Sequence, residues 1–496
     1  MSDLRESLDN GATPEGELSR GDVLDSREAG PAALRGSALR SGAYFAGIAL
    51  SVASTPLLIR HLGVVEYGRY VTVASLMNLV AGVTEAGLNA IALREYSTLE
   101  GAARRATMRS LMGLRYTLSL AGVLVGLAFA LAAGYDSALV VGAIGAGVAV
   151  VFQAVQQLLV TPLQCELRFG WLATMSLAGQ ALQVVGIVVL VLAGAGLVPF
   201  LWLGVPLCLI LLVWAIALVG RKMPLSASLR WGEIWPLLKD TLPYTFAVAL
   251  NVVYFRVTIL VMSIEASALQ TGYFATSFRV VEVLLGIPAL VIGAAFPILA
   301  RAERDDDDRF VYAMRRILEL SLILGTWMAM CCVVGAQVAI DVLAGDEGQP
   351  AVEVLRIQGI TLVSTGLAVA CGYGLLTLRR YRAMMILNCV ALVLSVVLTL
   401  ALVDPLGAKG AAIATVGTET SLAIGVVLVL LRYRPELLAG LTAVPVILAI
   451  GGVSVAVGLL TGLPALVGLV VANLVFVAGL ALARRIPPEL RDVIRR

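Results

Sequence analysis

Charge is scarce in this chain: only 14% of its 496 residues are Asp, Glu, Lys or Arg, against about a quarter in an ordinary soluble domain. With 59% hydrophobic residues and a mean hydropathy of +0.94, a water-soluble fold is excluded and lipid becomes the main solvent. Histidine is nearly absent. His61 is the single copy, so a histidine-based triad or a multi-histidine metal site is ruled out, and at the outer end of the first span it reads as an interfacial side chain. The six cysteines lack the spacing of a zinc site or a disulfide framework. Cys331, Cys332, Cys371 and Cys389 fall inside apolar runs, where a thiol behaves as a small core residue. No metal is implied. No GxxxxGK[ST] phosphate loop occurs, so a nucleotide cofactor is not implied either. Long outer loops are also missing, which removes room for an extramembrane catalytic domain and weighs against an enzyme.

What remains is a series of apolar segments of about twenty residues, each long enough to cross a bilayer as a helix. They predict an all-α polytopic membrane protein of about fourteen transmembrane helices. The first forty residues are too long and too acidic for the basic leader of a cleaved signal peptide. The expected organisation is a disordered cytoplasmic tail at 1–38, a six-helix lobe at 39–219, a cytoplasmic connection at 220–240 and a second six-helix lobe at 241–431. An additional helix pair at 432–483 and a basic cytoplasmic tail at 484–496 complete the chain. Orientation follows from the 36 Lys and Arg. With both ends in the cytoplasm, only Arg60, Arg69 and Lys409 fall outside, and Arg115, Arg256, Arg279 and Arg356 lie within or at the edges of spans.

The most informative pattern is an internal repeat. Sliding the second half over the first by 204 residues sets Gly68 on Gly272, Thr72 on Thr276, Ser75 on Arg279, Asn78 on Glu282, Gly82 on Gly286 and Asn89 on Gly293. On the second span Ser75, Asn78, Gly82, Glu85 and Asn89 step by 3 and 4, which puts them on one helix face. Thr276, Arg279, Glu282 and Gly286 make a matching stripe on the eighth span. Six helices separate the copies, an even number, so the lobes should be related by an axis along the membrane normal. A charged side chain at the bilayer centre costs roughly 2.5–3.5 kcal/mol on the most lenient scale, so the stripes should face each other across a central cavity. The alternative is that they are glue between helices, Arg279 and Glu282 neutralising one another.

Other intramembrane polar groups are secondary candidates. Arg256 on the seventh span has no acid one turn away; it can meet an anion, snorkel to an interface or pair with an acid on another helix. Glu419, between Thr418 and Thr420, is a candidate for proton coupling or for structural bonding. Gln153, Gln156 and Gln157 read as hydrogen-bonding groups between helices. The acidic run from Asp305 to Asp308, flanked by arginines, reads as a solvated loop.

Four stretches carry a resemblance: TPLLIRHLGVVEYGRYVTVASLM at 55–77, GLNAIALREYS at 87–97, TGYFATSFRVVEVLLGIPALVIGAAFPILAR at 271–301 and DPLGAKGAAIAT at 404–415. Over about 41–431 the chain resembles the polysaccharide and O-antigen flippases of the multidrug/oligosaccharidyl-lipid/polysaccharide exporter superfamily. The resemblance implies two six-helix bundles in a V, an added helix pair, and translocation of a polyprenyl-pyrophosphate-linked oligosaccharide across the inner membrane. Arg279 and Arg256 are then candidates for the pyrophosphate, and Ser75, Asn78, Asn89 and Thr276 for sugars. Glu85, Glu282 and Glu419 are candidates for coupling to H⁺ or Na⁺. Partners within this expectation are the lipid-linked substrate, membrane lipid and a polysaccharide polymerase or ligase; nucleic acid is not among them. The first span lacks the acid that many drug-exporting relatives carry, and cavity arginines typical of lipid II flippases are sparse. The alternatives are a cation-coupled exporter of small amphiphiles and a membrane-embedded glycosyltransferase, ligase or polymerase.

Overall fold

A segment surrounded by lipid has no water for its backbone, so it closes its hydrogen bonds within a helix even where valine and isoleucine would favour a strand. The computed structural model describes residues 29–85, 87–228, 231–305, 307–460 and 464–485, and among these every regular element is helical. The first lobe comprises α1 (Ala29–Glu85), α2 (Leu88–Thr98), α3 (Gly101–Ala132), α4 (Ser137–Leu159), α5 (Thr161–Cys165), α6 (Phe169–Leu192), α7 (Leu197–Trp202) and α8 (Gly204–Val219). The second comprises α9 (Trp231–Glu265), α10 (Ala268–Asp305), α11 (Asp307–Ala344), α12 (Pro350–Gly359), α13 (Thr361–Thr377), α14 (Tyr381–Leu406) and α15 (Ala408–Tyr433). Two more helices, α16 (Val444–Leu460) and α17 (Ala465–Leu482), follow.

Among the described residues eleven stretches are long and apolar enough to cross a membrane. The first of these contains two crossings, because Gly63 (φ 77, ψ 165) turns the chain between the arms 29–62 and 64–85 of α1. Glycine alone takes that φ readily. With the shorter apolar α16 and with α10, whose length exceeds a bilayer, the passes agree with the number expected from hydropathy. The chain is a polytopic, all-helical membrane protein. Helix already begins at Ala29, inside the tail expected at 1–38; the rest of that tail, and the basic tail from residue 486, lie outside the described residues, as does Asp306 in the acidic run.

Each lobe has its own apolar core. Ile91, Leu111, Leu158 and Ala215 pack together in the first, and Ile292, Phe310, Leu375 and Leu430 in the second. The final helix pair docks on α11, where Val334, Ile447, Ala472 and Phe476 are buried together. One polar tie reinforces it: Trp327 Nε1 donates to Asn473 Oδ1 at 2.7 Å.

The internal repeat is visible as local bonding. Thr72 Oγ1 donates to the Gly68 carbonyl at 3.0 Å, and Thr276 Oγ1 donates to the Gly272 carbonyl at 2.8 Å. The two glycines also abut. A Cβ on Gly68 would lie 2.6 Å from Gly272 N, and one on Gly272 would lie 2.2 Å from the Val64 carbonyl oxygen. Here α1 and α10 meet backbone to backbone, as small residues permit in a membrane. Nearby ties between the lobes lie toward the same face: Arg60 Nη2 donates to the Asp341 carbonyl at 2.7 Å, and the hydroxyls of Tyr135 and Ser263 are 2.6 Å apart. The opposite face is rich in arginine, with Arg94, Arg104, Arg168, Arg380 and Arg434 near helix ends.

Candidate functional site

Where α1 and α10 diverge from the glycine contact, they leave a polar chamber of about 240 Å³ between the lobes. Its walls come from both arms of α1 and from α6, α9 and α10. Ser75 and Asn78 line it from α1, and their repeat partners Arg279 and Glu282 line it from α10. The equal spacing of the two stripes and the close approach of the helices at Gly68 and Gly272 explain this. Each stripe starts one or two turns from the shared contact and faces the same gap.

The centre of the chamber is a carboxylate held between two guanidiniums. Glu282 Oε1 accepts from Arg256 Nη2 at 2.6 Å, and Glu282 Oε2 accepts from Arg279 Nη1 at 3.0 Å. Arg279 also donates to Ser51 Oγ and, through Nε, to Thr55 Oγ1 at 3.4 Å. The Arg256 guanidinium lies 5.4 Å and 5.9 Å from the Phe255 and Phe278 ring centres. Two cations share one anion, so the group keeps one positive charge in excess. All three side chains remain partly accessible, at 17%, 27% and 23% for Arg256, Arg279 and Glu282. The arrangement can receive an anion, to which arginine offers paired donors. Ser75 Oγ is enclosed and makes no hydrogen bond.

Other expected residues lie elsewhere. Thr276 is fully buried and its hydroxyl is committed to Gly272, so it is not part of the chamber lining. Glu85 and Asn89 also lie outside that lining: Asn89 Nδ2 donates to Glu85 Oε1 at 2.8 Å. They straddle a break at Gly87, whose φ is 79°. Beside this break Arg115 is almost wholly enclosed. It donates to the Thr84 carbonyl at 3.2 Å, the Ala154 carbonyl at 3.1 Å and Gln157 Oε1 at 3.0 Å. The Thr84 carbonyl lies in the last turn before the break, where intrahelical donors run out.

Glu419 is in the second lobe, separate from the triad. Tyr254 Oη donates to its Oε1 at 2.6 Å and Thr365 Oγ1 to its Oε2 at 2.8 Å. It is buried, yet it borders a cavity of about 430 Å³ that Asn251 and Asn388 also line.

Several lining groups carry no signal in a single-helix pattern. Ser51, Tyr70, Gln180 and Gln183 all line the chamber, but the 204-residue offset sets them on Phe255, Phe274, Met384 and Leu387, so none has a polar repeat partner. On its other side Arg279 borders an apolar groove of about 670 Å³, formed by Val52 and Pro56 of α1, Val280 and Val283 of α10, Val338 of α11 and Leu469 of α17. Among the described residues no cluster of His, Cys, Asp and Glu is arranged to hold a metal ion.

Comparison with known proteins follows the same lines. A family model described as "Polysaccharide biosynthesis protein" matches residues 57–353. A solved structure of the lipid II flippase MurJ in an inward closed conformation superposes with a TM-score of 0.73 at 14% identity, over 92% of this chain and 99% of that one. An inward-facing multidrug resistance MATE family transporter of the MOP superfamily gives 0.61 at 14% identity, over 81% and 94%. The eukaryotic MATE transporter AtDTX14 gives 0.55 at 14% identity, over 83% and 100%. Identities this low speak for the fold alone. No curated protein matches by sequence. Because the family match spans more than half of the chain and includes the arginine-bearing α10, the chain belongs to the polysaccharide biosynthesis protein family, built on the fold these transporters share.

Proposed function

We propose that this protein is a flippase that carries a polyprenyl-pyrophosphate-linked oligosaccharide from the cytoplasmic to the outer leaflet by alternating access, for cell-surface polysaccharide biosynthesis. One observation carries the reading: Arg279 borders both the polar chamber and the apolar groove. A molecule with an anionic head and a long apolar tail fits such a site, its head on the guanidinium and its tail in the groove. A free small cation has no use for the groove and meets a chamber with excess positive charge.

In this reading Arg279 and Arg256 take the pyrophosphate, exchanging part of their pairing with Glu282 for charge-assisted bonds to phosphate oxygens. Ser75 and Asn78 meet hydroxyls nearby. Glu419, poised between two hydroxyl donors beside a cavity, is the group best suited to exchange a coupling proton, because Glu282 is occupied by two arginines and Glu85 by Asn89. The protein sits in the inner membrane with the arginine-rich face toward the cytoplasm, where a polysaccharide polymerase or ligase on the other side would consume its product.

The test is reconstitution in vesicles loaded with a polyprenyl-pyrophosphate oligosaccharide, following its accessibility to an externally added sugar-binding reagent with and without a proton gradient. Protein-dependent exposure is the expected result, and dependence on the gradient establishes coupling. No exposure, together with uptake of a free cationic dye, would overturn the reading in favour of a small-amphiphile exporter.

A further inference from the structure

The chamber continues into the first lobe. A recess of about 400 Å³ shares Tyr70, Gln180 and Gln183 with it and adds Gln153 and Gln156 from α4. Its size lies in the usual range of small-molecule sites, roughly 300–1,000 Å³. The chemistry of its wall is unlike that of the chamber. Among the described residues no Asp, Glu, Lys, Arg or His lines it. Four glutamines from two helices converge on it instead. Their side-chain amides make no hydrogen bond within the described structure, whereas the neighbouring Gln157 is used by Arg115. Expected as ties between helices, Gln153 and Gln156 therefore tie nothing.

None of the four is buried: Gln153 and Gln183 are exposed and Gln156 and Gln180 half-buried, so their amides line the recess with bonding capacity open to an occupant. Each amide offers two donors and an acceptor, which complements a hydroxyl that both donates and accepts. Tyr70, at the junction with the chamber, adds a ring face. A wall of this kind can hold a polyhydroxylated ring; it has nothing to neutralise a carboxylate or an ammonium.

We propose that the glutamine recess seats the glycan of the lipid-linked substrate and selects an uncharged one. The proposal rests on the flippase reading above and adds a division of labour to it. The triad holds the pyrophosphate, and the sugars beyond it extend into the first lobe, where Gln153, Gln156, Gln180 and Gln183 bond their hydroxyls. A uronic acid in the same position would be stripped of water against a wall without a cation.

The experiment uses the full-length protein in vesicles with three probes: polyprenyl pyrophosphate bearing a neutral disaccharide, the same lipid with one hexose replaced by a uronic acid, and polyprenyl pyrophosphate without sugar. The wild type is expected to move the neutral glycolipid at least about tenfold faster than the uronic one. In the Gln153→Leu/Gln156→Leu variant the ratio of neutral-glycan to sugar-free flux should fall about tenfold or more, two neutral hydrogen bonds being lost. Gln156→Asn, which keeps an amide, should retain most of that ratio. Equal wild-type rates for the two glycans, or an unaltered ratio in the double leucine variant, would overturn the proposal while leaving the flippase reading standing. Failure of the wild type to move any of the three lipids would instead remove the flippase reading, and the proposal with it.

Discussion

Among single residues, Arg279 has the most demanding position, since it pairs with Glu282, reaches Ser51 and borders two cavities of opposite polarity. Replacing it with alanine removes a charge-assisted donor worth about 1.5–3 kcal/mol, so Arg279→Ala should lower flux of the lipid-linked substrate roughly ten- to a hundredfold. Arg279→Lys should recover only part of this, because an ammonium cannot present the paired geometry; initial rates in vesicles with matched protein levels measure both. Glu419→Gln should behave differently. Flux without a gradient should persist while stimulation by a proton gradient is lost, and stimulation that survives the substitution would remove Glu419 from coupling. The stripe containing Ser75 and Asn78 was legible in the sequence because its spacing is local and its repeat partners carry charge. The pairing of Arg256 with Glu282 was not, because it joins two helices and helical spacing says nothing about a neighbour 26 positions away. Gln153 and Gln156 stood out in the sequence as a cluster but read as ties between helices, and Gln180 and Gln183 did not stand out, because which cavity an amide lines depends on the neighbouring helix and not on its own spacing.

For helices, the informative features are the breaks and the close approach. Taken as a straight helix, the second span carries Glu85 and Asn89 on the face of Ser75, but the left-handed Gly87 interrupts it, and the two side chains bond to each other outside the chamber lining. Glycine in a long apolar helix is ambiguous between a packing site and a break, so periodicity alone could not separate them. Gly68 and Gly272 are the packing kind. A Cβ at Gly272 would meet a backbone oxygen at 2.2 Å, which cannot move aside as a flexible side chain would. Gly272→Val should force α1 and α10 apart. In a cysteine-depleted protein with Asn78→Cys, labelling by an impermeant maleimide added from the glycine-contact face should rise several-fold over the Gly272 parent. Unchanged labelling would mean that this contact does not close the chamber on that side.

On the scale of the whole molecule, helix count and the two-lobe repeat were readable because lipid leaves the backbone a single economical option and duplication repeats a pattern at fixed distance. The cavities were not, since they depend on how far the lobes diverge. Orientation rests on the basic residues, and it predicts that a fluorescent protein fused after Arg496 glows while a phosphatase fused there, active only after export, stays silent. The reverse result would invert the direction of transport proposed here. The wall between the chamber and the apolar groove is thin where Arg279 stands, and this changes what concentration means for the protein. A substrate that slips in sideways with its tail still among lipid tails is never dissolved in water, so occupancy should follow its mole fraction in the bilayer. Adding empty lipid to each vesicle should slow flipping in proportion, whereas diluting the vesicles in buffer should leave the rate per protein untouched.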